Sequence, residues 1–129
     1  MVVSQKSKRL LSLTAAMMAV AIAIGAFGAH GLKPYLDSYG LEIYAKGTSY
    51  QFYNTLGLFA IVFISILLPN TPRVKLSYYL VFIGMIIFSF SLYILALTKI
   101  MWLGAITPIG GSLMIIGWLV LAYSIYKEI

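Results

Sequence analysis

The residues of this sequence that could do chemistry are polar side chains within or at the ends of long apolar stretches. Tyr50 and Asn54 are four residues apart, so they share one face of a helix. Hydroxyl, amide and imidazole groups brought to one depth of a membrane either hydrogen-bond one another or line a polar cavity for a ligand. The candidate residues are His30, Tyr50, Gln51, Asn54, Ser89, Ser91, Tyr93 and Thr107.

This polar cluster has two open interpretations. In the first, the groups bond one another or nearby carbonyls and hold the helices together. We favour it because Ser and Thr bond helix carbonyls readily. In the second, they line a small cavity that opens outward or sideways and holds a lipid head group or a small ligand.

Catalytic and metal-binding patterns are absent from the sequence. His30 is the only histidine, cysteine is absent, and no carboxylate stands at metal-ligand spacing from His30. No spacing of Ser, His and Asp suggests a triad, and Gly25 and Gly28 lie inside an apolar stretch rather than in a phosphate-binding loop. We therefore predict a non-enzymatic protein without metal or cofactor. The catalytic alternative is an enzyme acting on a lipid or quinone at the outer leaflet, with His30 essential.

The composition places these residues in a membrane. Of the 129 residues, 62% are hydrophobic and only 9% are charged, whereas soluble domains carry about 25% charged residues. The net charge of +6 comes from loop residues, without the basic, aromatic-rich face that indicates nucleic-acid binding. The absence of cysteine excludes disulfides and thiolate metal sites.

Four apolar stretches are long enough to cross the hydrocarbon core, which needs about 20 helical residues. The sequence therefore predicts an all-α integral membrane bundle of four helices, with short loops, in one domain (1–129). The predicted spans are 9–30, 48–68, 76–97 and 104–126, with a separate short interfacial helix at 36–45. Thr107 and Pro108 either start the last helix or mark a kink within a longer one.

The first span has a second interpretation, because basic residues precede it and Ala26-Phe27-Gly28 resembles a signal-peptide cleavage site. Its apolar run from Leu10 to Ala29 exceeds the usual signal core of about 7–15 residues. We therefore expect the span to be retained.

The loop charges predict the orientation. Four spans put both termini on one side of the membrane, and that side carries six of the nine basic residues. Since Lys and Arg are enriched on the cytoplasmic side, both termini are predicted to be cytoplasmic and the protein to lie in the cell (inner) membrane. Tyrosines near the span ends, including Tyr44 and Tyr78, are expected at the membrane interfaces.

Small residues predict where the helices touch. In lipid, helices associate through close packing, and Ala21, Gly25 and Ala29 form a small-residue stripe on the first span. This span is also the least apolar, so we expect it to be central and Gly25→Leu to destabilise the fold. Matching close approaches on the other helices are expected at Ala60 and at five glycines: Gly57, Gly84, Gly110, Gly111 and Gly117.

Short motifs along the whole chain carry a family resemblance. They are Gly25–His30, Tyr50-Gln51 with Asn54-Thr55-Leu56, Phe88–Tyr93, Thr107–Gly111 and Gly117-Trp118. The chain resembles the YgdD-like family of small four-helix bacterial inner-membrane proteins of unknown function. The resemblance implies this fold and location and no biochemical activity. Members often have His in place of Asn54 and Gly in place of Phe90, so we expect no histidine pair here and expect Phe90 to fill space that glycine leaves open.

These observations predict an uncharacterised multi-pass membrane protein that acts without catalysis through contacts with membrane lipids or proteins. A second copy of the chain and another membrane protein are both candidate partners. The alternative is a small channel or carrier built from several copies. Proton-coupled carriers normally need an ionisable residue inside a span, and none is predicted deep inside a span here, which favours the first hypothesis.

Overall fold

The computed structural model describes residues 2–128, and every regular element in that range is helical. The helices are α1 (Gln5–His30), α2 (Ser38–Leu67), α3 (Pro72–Thr98) and α4 (Thr107–Glu128), with a short 3-10 helix (Met101–Ala105) before α4. All four are long and apolar enough to cross a membrane. Even α4, with 22 residues, spans about 33 Å against a hydrocarbon core of about 30 Å. The predicted four-helix fold is confirmed.

One predicted element is wrong: the separate interfacial helix at 36–45. The structure has a single helix from Ser38 to Leu67 instead. The Asp37 side chain accepts a hydrogen bond of 2.7 Å from the Gly40 amide and caps its start. Gly47 does not interrupt the helix because it lies against α3, where a Cβ would stand 2.7 Å from the Tyr93 ring. Tertiary packing therefore outweighs the low helix propensity of glycine.

The last helix begins at Thr107, so the alternative of a kink within a longer helix does not hold. Pro108 lies in the first turn, where a missing N–H costs no helical hydrogen bond. The Thr107 hydroxyl lies 2.6 Å from the Ser91 hydroxyl, so α4 starts level with Ser91. Because α3 continues to Thr98, α2 and α3 extend about 10 Å beyond α4 at this end.

The central helix is α3, which packs against both α2 and α4. Half of its most apolar window is buried, against 17% for α1, so the prediction of a central first span is wrong. The buried small residues of α1 recur every seven positions and therefore form one seam facing mainly α2. They are Ser7, Thr14, Ala21 and Gly28. In lipid an apolar helix gains nothing from burial, so hydropathy does not predict which helix is central.

Glycines allow a close contact where α3 meets α4. A Cβ on Gly110 would stand 2.6 Å from the Gly84 carbonyl oxygen, and one on Gly117 would stand 2.9 Å from the Val81 amide nitrogen. Gly57 lies under the Trp118 ring, and a Cβ on Gly57 would stand 2.5 Å from that ring. The structure thus places Gly57, Gly84 and Gly117 at helix contacts.

The predicted stripe on α1 is contradicted by its own contacts. Ala21 is buried, but Ala29 is exposed and a Cβ on Gly25 would have no atom within 4 Å. The close approach on this helix is Gly28, whose added Cβ would collide with the Tyr44 ring. Gly25→Leu is therefore not expected to separate helices, because α1 turns that position toward open space.

Candidate functional site

The predicted polar cluster separates into three groups, and His30 lies outside all of them. His30 is the last residue of α1 and is exposed. The remaining residues form an interior pair with its neighbours, a set of hydroxyl links between helices, and a groove on the outside of the bundle. Adjacent residues on α2 belong to different groups, because each residue points about 100° away from the next around a helix.

The interior group is a hydrogen-bonded pair between α2 and α3. Gln51 is fully buried, and its Oε1 accepts a hydrogen bond of 2.6 Å from the Tyr93 hydroxyl. Its amide nitrogen faces the Met17 sulfur of α1 at 3.3 Å. The Tyr44 ring lies 5.0 Å from the Tyr93 ring, and its hydroxyl donates to the Ile24 carbonyl at 2.6 Å. Both hydroxyls and both ends of the Gln51 amide have partners, so this group holds three helices together.

Hydroxyl links join α3 to its two neighbours. Ser89 donates to the Gly47 carbonyl at 2.8 Å, which ties α3 to α2. Ser91 and Thr107 share a hydrogen bond of 2.6 Å, and Ser91 also reaches the Phe88 carbonyl at 2.8 Å. These side chains therefore bond one another or nearby carbonyls and link α3 to α2 and to the start of α4.

The third group lines an open groove between α2, α3 and α4, which we call the lateral groove. The Trp118 indole N–H donates to Asn54 Oδ1 at 3.0 Å, and Asn54 Nδ2 donates to the Tyr50 carbonyl at 2.9 Å. The Tyr50 ring packs on Phe88 with a centroid distance of 4.5 Å. The groove has a volume of about 480 Å³. It is lined by Tyr50, Asn54, Phe88, Gly111, Met114, Ile115, Trp118 and Leu119.

The lateral groove faces sideways from the bundle, where a membrane protein meets lipid. Ile115 and Leu119 on its wall are both 63% exposed. Gly111 leaves its floor open, since a Cβ there would make only ordinary contact, 3.6 Å from the Phe88 ring. Gly111 is therefore not a tight helix contact like Gly110. The lateral groove is mostly apolar, and its Trp118 and Asn54 side chains bond each other. It therefore suits an apolar chain better than a charged solute.

Asn54 and Phe90, the two residues that differ from the pattern of the family that the sequence resembles, lie in different parts of the bundle. Asn54 accepts the Trp118 hydrogen bond inside the lateral groove. Phe90 packs edge-on against Tyr93, with ring centroids 5.2 Å apart, and is not part of the groove wall. It therefore leaves the lateral groove open.

Sequence reasoning missed several residues that build these groups. Tyr44 and Tyr78 were expected at the membrane interfaces, but both are buried. The Tyr78 hydroxyl lies 2.8 Å from that of Thr14 and links α3 to α1. The seven-residue recurrence of small residues on α1, ending at Gly28, was the signal that could have located this seam.

Among residues 2–128, no group of three His, Cys, Asp or Glu side chains could hold a metal ion. The fold and the contacts define a class: a four-helix membrane protein whose buried polar groups bond one another. Residues 24–111, well over half of the chain, match the family described as "Protein of unknown function (DUF423)". The chain belongs to this family.

Relatives that match nearly the whole chain are also named as membrane proteins. The chain is 50% identical over 114 residues to a UPF0382 membrane protein of Staphylococcus saprophyticus, covering 87% of this chain and 90% of the relative. It is 41% identical over 108 residues to the UPF0382 membrane protein YwdK of Bacillus subtilis, covering 84% and 88%. No solved structure matches it. A membrane-protein family of unknown function is confirmed, under this description rather than as YgdD-like.

Proposed function

We propose that this protein acts without catalysis by binding the acyl chain of a membrane lipid in the lateral groove. The observation that carries the proposal is the groove itself: an apolar furrow of 480 Å³ on the lipid-facing side of the bundle. Its one polar edge, the Trp118–Asn54 pair, is already hydrogen-bonded at 3.0 Å. The groove therefore offers mainly apolar contact, and an acyl chain in it would not leave the Trp118 N–H or the Asn54 oxygen without a hydrogen-bond partner.

The interior of the bundle supports lipid contact over solute transport by a single copy. Leu58, Ile61 and Val62 are fully buried and fill the centre beside α3. The polar groups further along are paired with one another, as Gln51 is with Tyr93. A carrier would need these groups to face a passing solute. The channel or carrier alternative therefore requires a path between several copies.

Gly111→Leu is expected to weaken lipid binding about tenfold, because its side chain would fill the groove floor. Excluding about two methylenes loses roughly 1.6 kcal/mol at about 0.8 kcal/mol each, and 1.4 kcal/mol corresponds to a factor of ten. In a Trp102→Phe background, Trp118 is the one remaining tryptophan. Its quenching by a phospholipid with brominated acyl chains, added to the protein in detergent, measures binding at the groove.

The matched control is Gly25→Leu, which places the same side chain in open space on α1, away from the groove. It should bind the brominated lipid as the parent does. Equal quenching curves for Gly111→Leu and the parent would contradict binding in the lateral groove.

We further propose that the protein lies in the cell (inner) membrane with both termini cytoplasmic. Since the chain has no cysteine, single substitutions can be labelled without background. Lys33→Cys, in the exposed α1–α2 connection, should react with a membrane-impermeant maleimide in intact cells. Lys127→Cys should react only after permeabilisation, and the reverse pattern would invert the orientation.

A further inference from the structure

A second cavity lies at the end of the bundle where α2 starts and α3 ends, and we call it the Asp37–Lys99 cavity. Its volume is about 400 Å³. Four of its lining residues are apolar, and two carry opposite charges. It is lined by Asp37, Tyr39, Gly40, Ile43, Leu95, Ala96, Lys99 and Met101.

The two charges at its mouth form an ion pair without a hydrogen bond between them. Asp37 Oδ2 lies 3.8 Å from Lys99 Nζ, and the two side chains are 56% and 71% exposed. That distance exceeds the 2.7–3.2 Å typical of a hydrogen bond. Asp37 Oδ1 is engaged with the Gly40 amide at 2.7 Å. Oδ2 and the ammonium group therefore remain able to bond a ligand, and an exposed pair of this kind contributes little to folding.

One face of α2 connects this cavity with the lateral groove. Tyr39 and Ile43 line the cavity, while Tyr50 and Asn54 line the groove. Lys46, which is exposed, lies between them on the same face by its helical spacing of three and four residues. From Tyr39 to Asn54 the face measures about 22 Å at 1.5 Å per residue. One leaflet with its head groups is about 20–22 Å thick, half of a bilayer of about 40–45 Å, so a lipid whose head group is held at the cavity has its chain beside the groove.

We infer that the Asp37–Lys99 cavity binds the head group of a glycerophospholipid that carries both a phosphate and a primary amine. Lys99 Nζ donates to the phosphate, and Asp37 Oδ2 accepts from the ammonium. Two opposite charges side by side complement a zwitterionic head group, whereas Asp37 repels one that is only anionic. This inference rests on the proposed binding of an acyl chain and names the lipid class.

The test uses the full-length protein and the same quenching of Trp118, with phosphatidylethanolamine and phosphatidylglycerol carrying identical brominated chains. The parent should bind phosphatidylethanolamine about tenfold more tightly. Asp37→Asn removes the charge but keeps an oxygen that caps α2, and it should bring the two affinities together. Asp37→Ser, which also caps, provides a second variant if the first does not fold.

Lys99 requires a substitution that suits its backbone, because its φ of 59° lies in the left-handed region. Asn tolerates that conformation better than most residues, so Lys99→Asn should weaken binding of both phospholipids by a similar factor. Lys33→Asn is the matched control, since it removes an exposed lysine that does not line this cavity. It should leave both affinities unchanged.

Equal affinities of the parent for the two lipids, or an Asp37→Asn variant that keeps the parent's preference, would overturn the head-group inference. If binding then remained sensitive to Gly111→Leu, the proposed acyl-chain groove would stand by itself. Loss of the Gly111→Leu effect would instead remove the proposed function. Soluble glycerophosphoethanolamine at equal concentration should not displace the lipid, and displacement would overturn binding of the head group as part of a lipid.

Discussion

Gly110→Ala is expected to destabilise the bundle by about 1–3 kcal/mol or more, the cost of forcing an extra methyl group into a packed interior. The added Cβ would stand 2.6 Å from the Gly84 carbonyl oxygen and would also collide with the backbone of Phe88. Backbone atoms of two helices cannot move aside as a side chain does. The helices α3 and α4 would have to separate along their main contact. Unfolding in mixed detergent and SDS micelles, followed by circular dichroism, measures the loss.

The matched control for this substitution is Gly25→Ala. It adds the same methyl group in mid-helix, but no atom lies within 4 Å of the new Cβ. It should leave the stability unchanged or raise it by up to about 1 kcal/mol through the higher helix propensity of alanine. If both substitutions lowered the stability equally, the close contact between α3 and α4 would be refuted.

Tyr93→Phe is expected to lower the free energy of unfolding by about 1–3 kcal/mol, the cost of leaving a buried polar group without a partner. The Gln51 side-chain oxygen accepts a hydrogen bond of 2.6 Å from the Tyr93 hydroxyl, and Gln51 is fully buried. The substitution keeps the ring and removes the hydroxyl, so it affects packing little. The same detergent unfolding assay measures the change.

A double-mutant cycle with Gln51→Leu separates the hydrogen bond from other effects. Since Gln51→Leu removes the acceptor, adding Tyr93→Phe to it should cost clearly less than Tyr93→Phe alone. Ser112→Ala serves as the control, because Ser112 is exposed and bonds only within its own helix, to Pro108. Strict additivity of the Gln51 and Tyr93 substitutions would refute a shared hydrogen bond.

These two predictions concern the packed interior of the bundle. The proposed binding surfaces lie outside it. The Gln51–Tyr93 pair and the Gly84–Gly110 contact are both directed into the bundle. The lateral groove and the Asp37–Lys99 cavity are open to the surroundings. The Asp37–Lys99 cavity lies where α2 and α3 extend beyond α4, and the lateral groove runs along the outer side of α4, so neither is part of the tightly packed interior. Variants in the groove can therefore be tested with little loss of stability.

The number and approximate positions of the membrane helices followed from the sequence, because length and hydropathy act locally along each segment. The glycines of α3 and α4 were also predictable to a degree. Small residues allow backbones to approach in lipid, and Gly84 and Gly117 lie at such a contact. Gly25 has the same local signature but lies in open space. A glycine therefore indicates that a close approach is possible, and the opposing helix decides whether it occurs.

The polar residues of α2 show the same limit. Gln51 and Tyr50 are neighbours in sequence, yet Gln51 is fully buried and Tyr50 is 44% exposed. Their types and spacing predicted hydrogen-bonding groups at one depth. In the structure Gln51 bonds Tyr93, while Ser89 bonds the Gly47 carbonyl. Which face of α2 meets α3 depends on residues far away in the chain. Spacing within one helix does not contain that information.

By itself, the sequence determined that this chain is a four-helix membrane protein of its family, because a chain this apolar has only lipid to surround it and only helices to satisfy its backbone there. Only the tertiary structure decided that α3 is central, that Gly28 rather than Gly25 meets a neighbouring helix, and that the lateral groove and the Asp37–Lys99 cavity open beside α2. The physical reason is that hydrocarbon and the protein interior are equally apolar. Hydropathy therefore decides which segments lie in the membrane. Packing and hydrogen bonds between distant residues decide which side chains face the bundle interior and which face lipid.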